Sequence, residues 1–256
     1  MARILKEEEH TAKRNEILDA AFQLVYSKGY DKMTIQDLLD QLQISKGAFY
    51  HYFDSKVDVL EAVIERMAAE QVEPIFLSIV QDPNLSALEK LHHYFDMSTR
   101  WKTSKKAFVM ELVKVWYSDE NALARQKMLA RTVDHMEPFF TEIIKQGVRE
   151  GVFTTPYPEV ASQVMINLIY DLAYASGQML LSDHSDSAGV KESDNLQRVE
   201  SLYMAYSDVL ERVLGAPKGS IQVMTAEALN IWFSSDDTQQ SETFAAETGI
   251  AASRNP

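Results

Sequence analysis

The sequence predicts an all-α protein, and three observations carry that reading. Apolar residues recur at helical spacing through most of the chain. No run alternates apolar and polar residues for long enough to build a sheet. The breakers are few, with 9 glycines and 7 prolines in 256 residues. The architecture expected is a three-helix N-terminal unit containing a helix-turn-helix, followed by a helical bundle. A composition that is 46% hydrophobic and 25% charged is ordinary for a packed chain and excludes a disordered or fibrous one.

The elements follow in order. In residues 11–28, Ile17, Leu18, Ala21, Phe22, Leu24 and Val25 keep helical spacing, and Gly29 stands at the expected stop. Residues 7–9 are consecutive glutamates, read as a frayed end. Thr34 starts a short helix over 35–42, with Asp37 as its capping-box partner. Ser45 caps a second short helix over 46–52. Ser55 and Asp58 open a third, running to about residue 71 and limited or bent by Pro74. Longer helices are expected over 86–102, 105–116, 121–150 (interrupted near Pro138 and closed by Gly151) and 158–181. Residues 182–195 are polar and acidic and read as a loop. A strong helix covers 196–214, and a short one is possible over 225–233. The domains expected are 11–60, 61–216 and a mobile tail with one short helix over 217–256.

Composition also limits chemistry. With no cysteine, disulfides, thiolate metal sites and cysteine nucleophiles are excluded, and a reducing cytoplasm fits as the location. No apolar run approaches a membrane span of about 20 residues. Residues 1–10 lack the apolar stretch of a secretory signal. His92, His93 and His135 form no metal signature, and no nucleotide-binding or hydrolase motif occurs, so no cofactor and no enzymatic activity are expected. The net charge is −13. Residues 1–60 hold 8 basic and 10 acidic side chains, whereas 61–256 hold 17 and 28, so the first quarter is the less hostile place for a polyanion.

Residues 34–56 are the most informative. The two short helices, joined by a tight turn at Gln43 and Ile44, can cross steeply and share a small core with the first helix. Ile35, Leu38, Leu39, Leu42, Ile44, Phe49 and Phe53 would fill it. The second helix would then present Lys46, Gly47, Ala48, Tyr50 and His51 outward, a set that suits a DNA major groove. Lys46 can reach a guanine edge or a phosphate, Gly47 and Ala48 permit close approach, and Ala48 can touch a thymine methyl. Tyr50 and His51 can bond phosphates, as can groups at the helix starts after Thr34, Ser45 and Ser55, with Lys56 adding a cation.

The stretch ILDAAFQLVYSKGYDKMTIQDLLDQLQISKGAFYHYFDSKVDVL, residues 17–60, resembles the DNA-binding domain of the tetracycline-repressor (TetR-like) transcriptional regulators. The resemblance rests on Gly29, Thr34-Ile35, Ser45-Lys46-Gly47, the aromatic run from Phe49 to Phe53, and Lys56. It departs where the family often has Ala-Gly in the turn, here Leu42-Gln43, and at Leu39, where a smaller residue is common. The resemblance implies a repressor that binds a palindromic double-stranded operator as a homodimer. It also implies an all-helical C-terminal domain for ligand binding and dimerisation, with a small effector that shifts the helix begun at Ser55.

The rest of the chain gives its own argument for self-association. Leu196, Val199, Tyr203, Tyr206, Leu210 and Val213 form a coiled-coil-like stripe. The preceding helix is apolar round much of its circumference, including Val164, Leu168 and Leu172, so a four-helix interface with a second copy is expected. Met and aromatic residues suit an adaptable pocket, for which Trp101, Met110, Trp116, Phe139, Met165, Tyr170 and Tyr174 are candidates. Glu111 and Asp171 interrupt apolar stretches and either face a cationic ligand or make salt bridges. The alternative to a small effector is a DNA-bound module whose C-terminal domain recruits a protein.

Overall fold

Capping and turn chemistry define the first helices. In the computed structural model, which describes residues 2–117, 121–183 and 192–233, the chain begins with α1 (Ala2–Lys28). α1 ends where Gly29 takes φ +81, a left-handed conformation that costs glycine nothing. Helices α2 (Ile35–Leu42), α3 (Lys46–Tyr50) and α4 (Lys56–Met67) follow, each opened by a hydroxyl that accepts from the first turn: Thr34, Ser45 and Ser55. The turn between α2 and α3 is made by Gln43 at φ 50 and ψ 43, whose left-handed backbone lets Ile44 N–H return to the Leu39 carbonyl at 3.1 Å. A side chain in that conformation costs about 1–2 kcal/mol.

The chain then passes through a π-helical turn (Ala68–Val72) into α5 (Glu73–Gln81), instead of stopping at Pro74. Pro74 sits in the first turn of α5, where a missing N–H breaks no helical bond. α6 (Ala87–Ser104), α7 (Lys106–Trp116), α8 (Ala122–Glu150), α9 (Pro158–Asp183), α10 (Glu192–Leu214) and α11 (Ala226–Phe233) complete the fold, and the described residues contain no strand.

Four expectations need correcting. Glutamates 7–9 lie inside α1, which starts nine residues earlier than expected. α8 is not interrupted at Pro138, which lies on the exposed side of the helix. The loop assigned to 182–195 is shorter, since α9 reaches Asp183 and α10 begins at Glu192; residues 184–191 lie outside the described part. Residues 217–233 are not a mobile tail. Ile221, Val223, Leu229, Trp232 and Phe233 belong to the main core. Buried Glu211 accepts the Ile221 N–H at 2.9 Å, and Trp232 Nε1–H donates to Thr103 at 3.0 Å. The apolar surface in that segment outweighs the cost of ordering it. The rest of the expected tail, 234–256, lies outside the described residues.

The described residues form two cores. The larger is built by α5, α6 and α8–α11, around Phe76, Leu91, Phe140, Met165, Leu172, Val199 and Leu210. The smaller joins α1–α4, around Ile17, Leu18, Leu38, Phe49, Phe53, Val59 and Leu60, and it includes Phe108 of α7. Phe108 is 1% exposed and packs on Phe22 with ring centroids 4.8 Å apart. α7 thus contributes to the N-terminal core while its Val109 and Met110 pack on the larger one.

Candidate nucleic-acid interface

The small core fixes α3 by its buried face. Phe49 is fully buried and Phe53 nearly so, which leaves the opposite side of α3 to solvent. Lys46, Gly47, Tyr50 and His51 are exposed and Ala48 is half-buried, so five of the expected contact residues share one outward surface. The Lys46 ammonium lies 5.9 Å from the centre of the Tyr50 ring, which keeps a cation beside the phenol. The helix proper is five residues long, with His51 and Tyr52 continuing it as a turn. Ser45 accepts from Ala48 N–H at 3.2 Å and keeps its own proton for an outside acceptor.

Two expected contacts are engaged elsewhere. The Thr34 hydroxyl and N–H both donate to Asp37, at 2.6 and 2.7 Å, leaving no donor for a phosphate. Lys28 also bonds this carboxylate. Lys28 first, then the Thr34 hydroxyl and N–H, hold the Asp37 carboxyl at about 2. Lys56 turns inward: its ammonium donates to the Tyr30 and Met33 carbonyls at 2.9 and 3.0 Å and sits 3.9 Å from the Tyr30 ring centre. Burial lowers its pKa, against the opposing pull of Asp31. Sequence placed Lys56 correctly at the helix start, but the carbonyls left at the α1–α2 turn claim the charge.

One neighbour of this surface escaped the sequence reading. His10 of α1 lies 4.6 Å from the Tyr52 ring and edge-on to His51 at 5.6 Å. Arg14, one turn on, lies over Phe53 at 5.1 Å. Positions 10, 14, 17 and 21 share one helical face, so the phase of α1 carried the signal once its start is extended.

The pocket candidates do not converge. Trp101 belongs with the small core, its indole N–H bonding Gln71 at 3.0 Å. Met165 and Trp116 are buried, and Phe139 packs on Phe76. Met110 is half-buried against the larger core. Tyr170 reaches the Arg125 carbonyl at 3.4 Å, and Tyr174 is 40% exposed and stacks edge-on with Tyr117 at 5.2 Å. Both acids have protein partners. Glu111 pairs with Lys114 at 2.7 Å, and Asp171 is exposed and accepts from Tyr206 of α10. A shallow groove open to solvent, lined by Met179, Gln197, Arg198, Ser201 and Leu202, contains none of the candidates.

The self-association stripe divides in two. Val199, Tyr203, Leu210 and Leu172 are buried in the chain's own core, which removes them from any interface with a second copy. Val164 is exposed, and Leu168, Tyr206 and Val213 are half-buried. α9 and α10 run antiparallel, as the Asp171–Tyr206 and Ser176–Tyr203 bonds fix. That register sets Val164 level with Val213, and Leu168 level with Val209, which is 39% exposed. The result is an apolar band along the α9–α10 seam.

A cationic, aromatic short helix held outward by a three-helix core, on an otherwise acidic helical chain, defines a helix-turn-helix DNA-binding regulator. Residues 17–63 match the family model of bacterial regulatory proteins of the tetR family, and residues 105–177 match that of the tetracyclin repressor-like C-terminal domain. The chain belongs to the TetR-like transcriptional regulators. A helix-turn-helix regulator from Lactococcus lactis is 48% identical over 52 residues, 20% of this chain and 26% of that relative, so the match spans about a quarter of its length. The transcriptional repressor KstR2 of Mycobacterium tuberculosis is 25% identical over 169 residues, 64% of this chain and 80% of that one. A TetR-family regulator from Pectobacterium atrosepticum shares the fold with a TM-score of 0.57 at 19% identity, covering 82% of this chain and 98% of its own.

Proposed function

We propose that the protein is a cytoplasmic homodimeric repressor that binds a palindromic operator and is released by a small-molecule effector held among the C-terminal helices. The observation that carries this is the outward surface of α3, where Lys46, Gly47, Ala48, Tyr50 and His51 stand on a packed base. Ser45 and the N–H groups at the start of α2 serve as phosphate donors, and Lys56 and Thr34 hold the frame without touching DNA. The α9–α10 band, with Val164, Leu168, Tyr206, Val209 and Val213, would close the two-fold interface. That would set two α3 helices at half-sites about 34–36 Å apart. An effector that prefers one arrangement of the C-terminal helices would move α4 and α7 and change this separation.

The test is fluorescence anisotropy on DNA flanking the protein's own gene, with a random-library selection if that region fails. The Lys46→Ala, Tyr50→Ala double variant should lose about 100-fold or more in affinity for the selected site, with each lost contact worth about 1–3 kcal/mol. Its melting temperature should stay near wild type, because both side chains are exposed. Equal binding of selected and random DNA by the wild type would sink the proposal.

A further inference from the structure

The inner stripe of α1 changes character as it leaves the small core. Ala21 and Ile17 are buried in that core. One turn earlier Arg14 is half-buried over the Phe53 ring, and one turn before that His10 is exposed beside Tyr52. α1 therefore carries an imidazole out of the core and up to the end of α3. There it meets a second one. His51 closes α3, and its ring lies edge-on to His10 with centroids 5.6 Å apart. Tyr52 packs with both rings, at 4.6 Å from His10 and 5.4 Å from His51.

Among the described residues, no hydrogen bond or ion pair engages a ring nitrogen of His10 or His51, and both side chains are exposed. Histidines elsewhere are engaged. His92 Nε2–H donates to the Ser220 carbonyl at 2.7 Å, and His135 pairs with Glu73 at 3.1 Å. The charged groups around the pair have other partners. On α1, Lys13 pairs with Glu16 and Arg14 lies on Phe53. On α3, Lys46 stands beside Tyr50. At the start of α4, Lys56 turns inward and Asp58 accepts the Asp54 N–H at 3.1 Å. Glu9, the immediate helical neighbour of His10, points to a different side of α1. Neither Glu9 nor Asp54, both exposed, pairs with an imidazole.

Position decides what such a pair can meet. A helix with its side chains is about 10–12 Å across, and the DNA major groove is about 12 Å wide. A groove that takes α3 is filled by it, so a helix packed beside α3 meets the wall of the groove. That wall is sugar and phosphate. His51 at the end of α3 and His10 on the adjoining α1 stand on this border.

We propose that His10 is a DNA contact, and that His10 and His51 together hold the phosphate backbone at the groove edge by taking up protons as the operator docks. This rests on the DNA-binding reading above. A phosphodiester is an anion throughout the physiological range, and it favours the charged form of an imidazole beside it. Histidine is the side chain whose ordinary titration falls near neutrality. The contact is therefore charge-assisted in mild acid and weaker in mild base. A ring bound to phosphate keeps its proton to higher pH than a free one. The extra affinity is complete below the range in which the free ring titrates, and it is lost as pH rises through the range of the bound ring.

The experiment measures anisotropy of the full-length protein on the duplex recovered by random-library selection, at fixed salt, for wild type, His10→Phe, His10→Arg and His51→Gln. Wild-type affinity should rise about tenfold or more between about pH 8 and about pH 6, the scale of one to two protons per dimer. His10→Phe keeps a ring on Tyr52 but holds no proton. It should match wild type in base and lose about half of the logarithmic rise toward acid. His10→Arg, charged throughout, should bind in base at least about threefold tighter than wild type, with a shallower profile. His51→Gln should lose the other part of the rise. Calorimetry near neutrality in two buffers of different ionisation enthalpy should show proton uptake on binding, reduced in His10→Phe. Melting temperatures should stay near wild type, because both histidines are exposed. A flat wild-type profile, no proton uptake, or a profile unchanged in His10→Phe would each overturn the proposal and leave the DNA-binding reading in place. A loss in His10→Phe that is equal at every pH would make His10 a brace for Tyr52 and overturn it too. Equal binding of selected and random duplexes at every pH would remove the DNA-binding reading and this contact with it.

Discussion

The helix-turn-helix and the α9–α10 pair are both amphipathic helical units, yet they spend their side chains differently. In the first, the caps and the turn answer to their nearest neighbours: Thr34, Ser45 and Ser55 cap the helix that follows, and Gln43 makes the turn. In the second, placement answers to partners far away in sequence. Tyr203, read as an interface residue, bonds Ser176, and Asp171 takes the Tyr206 hydroxyl. Local rules position a surface for recognition, whereas packing across long distances decides which part of an apolar helix is left for a second chain.

The largest test of this contrast puts charge on the seam. Val164→Asp with Val209→Asp should give a monomer by sedimentation and lower operator affinity by about 100- to 10,000-fold, the range expected when two linked half-sites are uncoupled. The fold should survive, because both residues are exposed. A dimer of unchanged affinity would remove the α9–α10 band from the interface.

Phe108→Ala comes next. It should cost about 3–5 kcal/mol by denaturant unfolding. Although the residue lies on α7, hydrogen exchange should rise first in α1 and α4. Exchange confined to the C-terminal helices would show that α7 does not support the small core.

A smaller effect belongs to the Thr34–Asp37–Lys28 cluster. The Asp37 carboxyl is held at about 2, below its ordinary 3.8. A depressed carboxylate stabilises the fold above its unfolded pKa, and that contribution is lost as pH falls through about 4 to 2. Asp37→Asn should therefore melt below wild type at neutral pH, and the gap should close in acid. A gap independent of pH would assign the loss to the cap alone.

The smallest expected change is a gain. Gln43→Gly relieves the left-handed side chain at the turn and should stabilise the protein by about 0.5–1 kcal/mol, after the extra chain entropy of glycine is counted. No gain would mean that the α2–α3 turn carries no strain.

These contrasts explain what was legible in the sequence. The caps, the turn and the outward set on α3 were readable because spacing of three or four residues fixes them. The inward turn of Lys56 was not, since it depends on carbonyls of Tyr30 and Met33, over twenty residues away. The burial of Ile221 and Val223 was hidden for the same reason: they occupy a stretch with no helical period, and partners distant in sequence, Glu211 and the larger core, give them a place. Trp101 looked like a pocket residue because size and aromaticity are visible in sequence, whereas the direction it faces is set by the π-helical turn that supplies Gln71.

The seat of Phe108 in the N-terminal core has a consequence for exchanging parts between relatives. A head cut after α4 would leave Phe22 without the ring that covers it, and the severed body would carry a bare phenylalanine on α7. Chimaeras that graft a new DNA specificity onto this body must therefore transplant matching residues of α7 with the head. The unit of inheritance is thus discontinuous in sequence, and a domain boundary drawn along the chain passes through the middle of one of its cores.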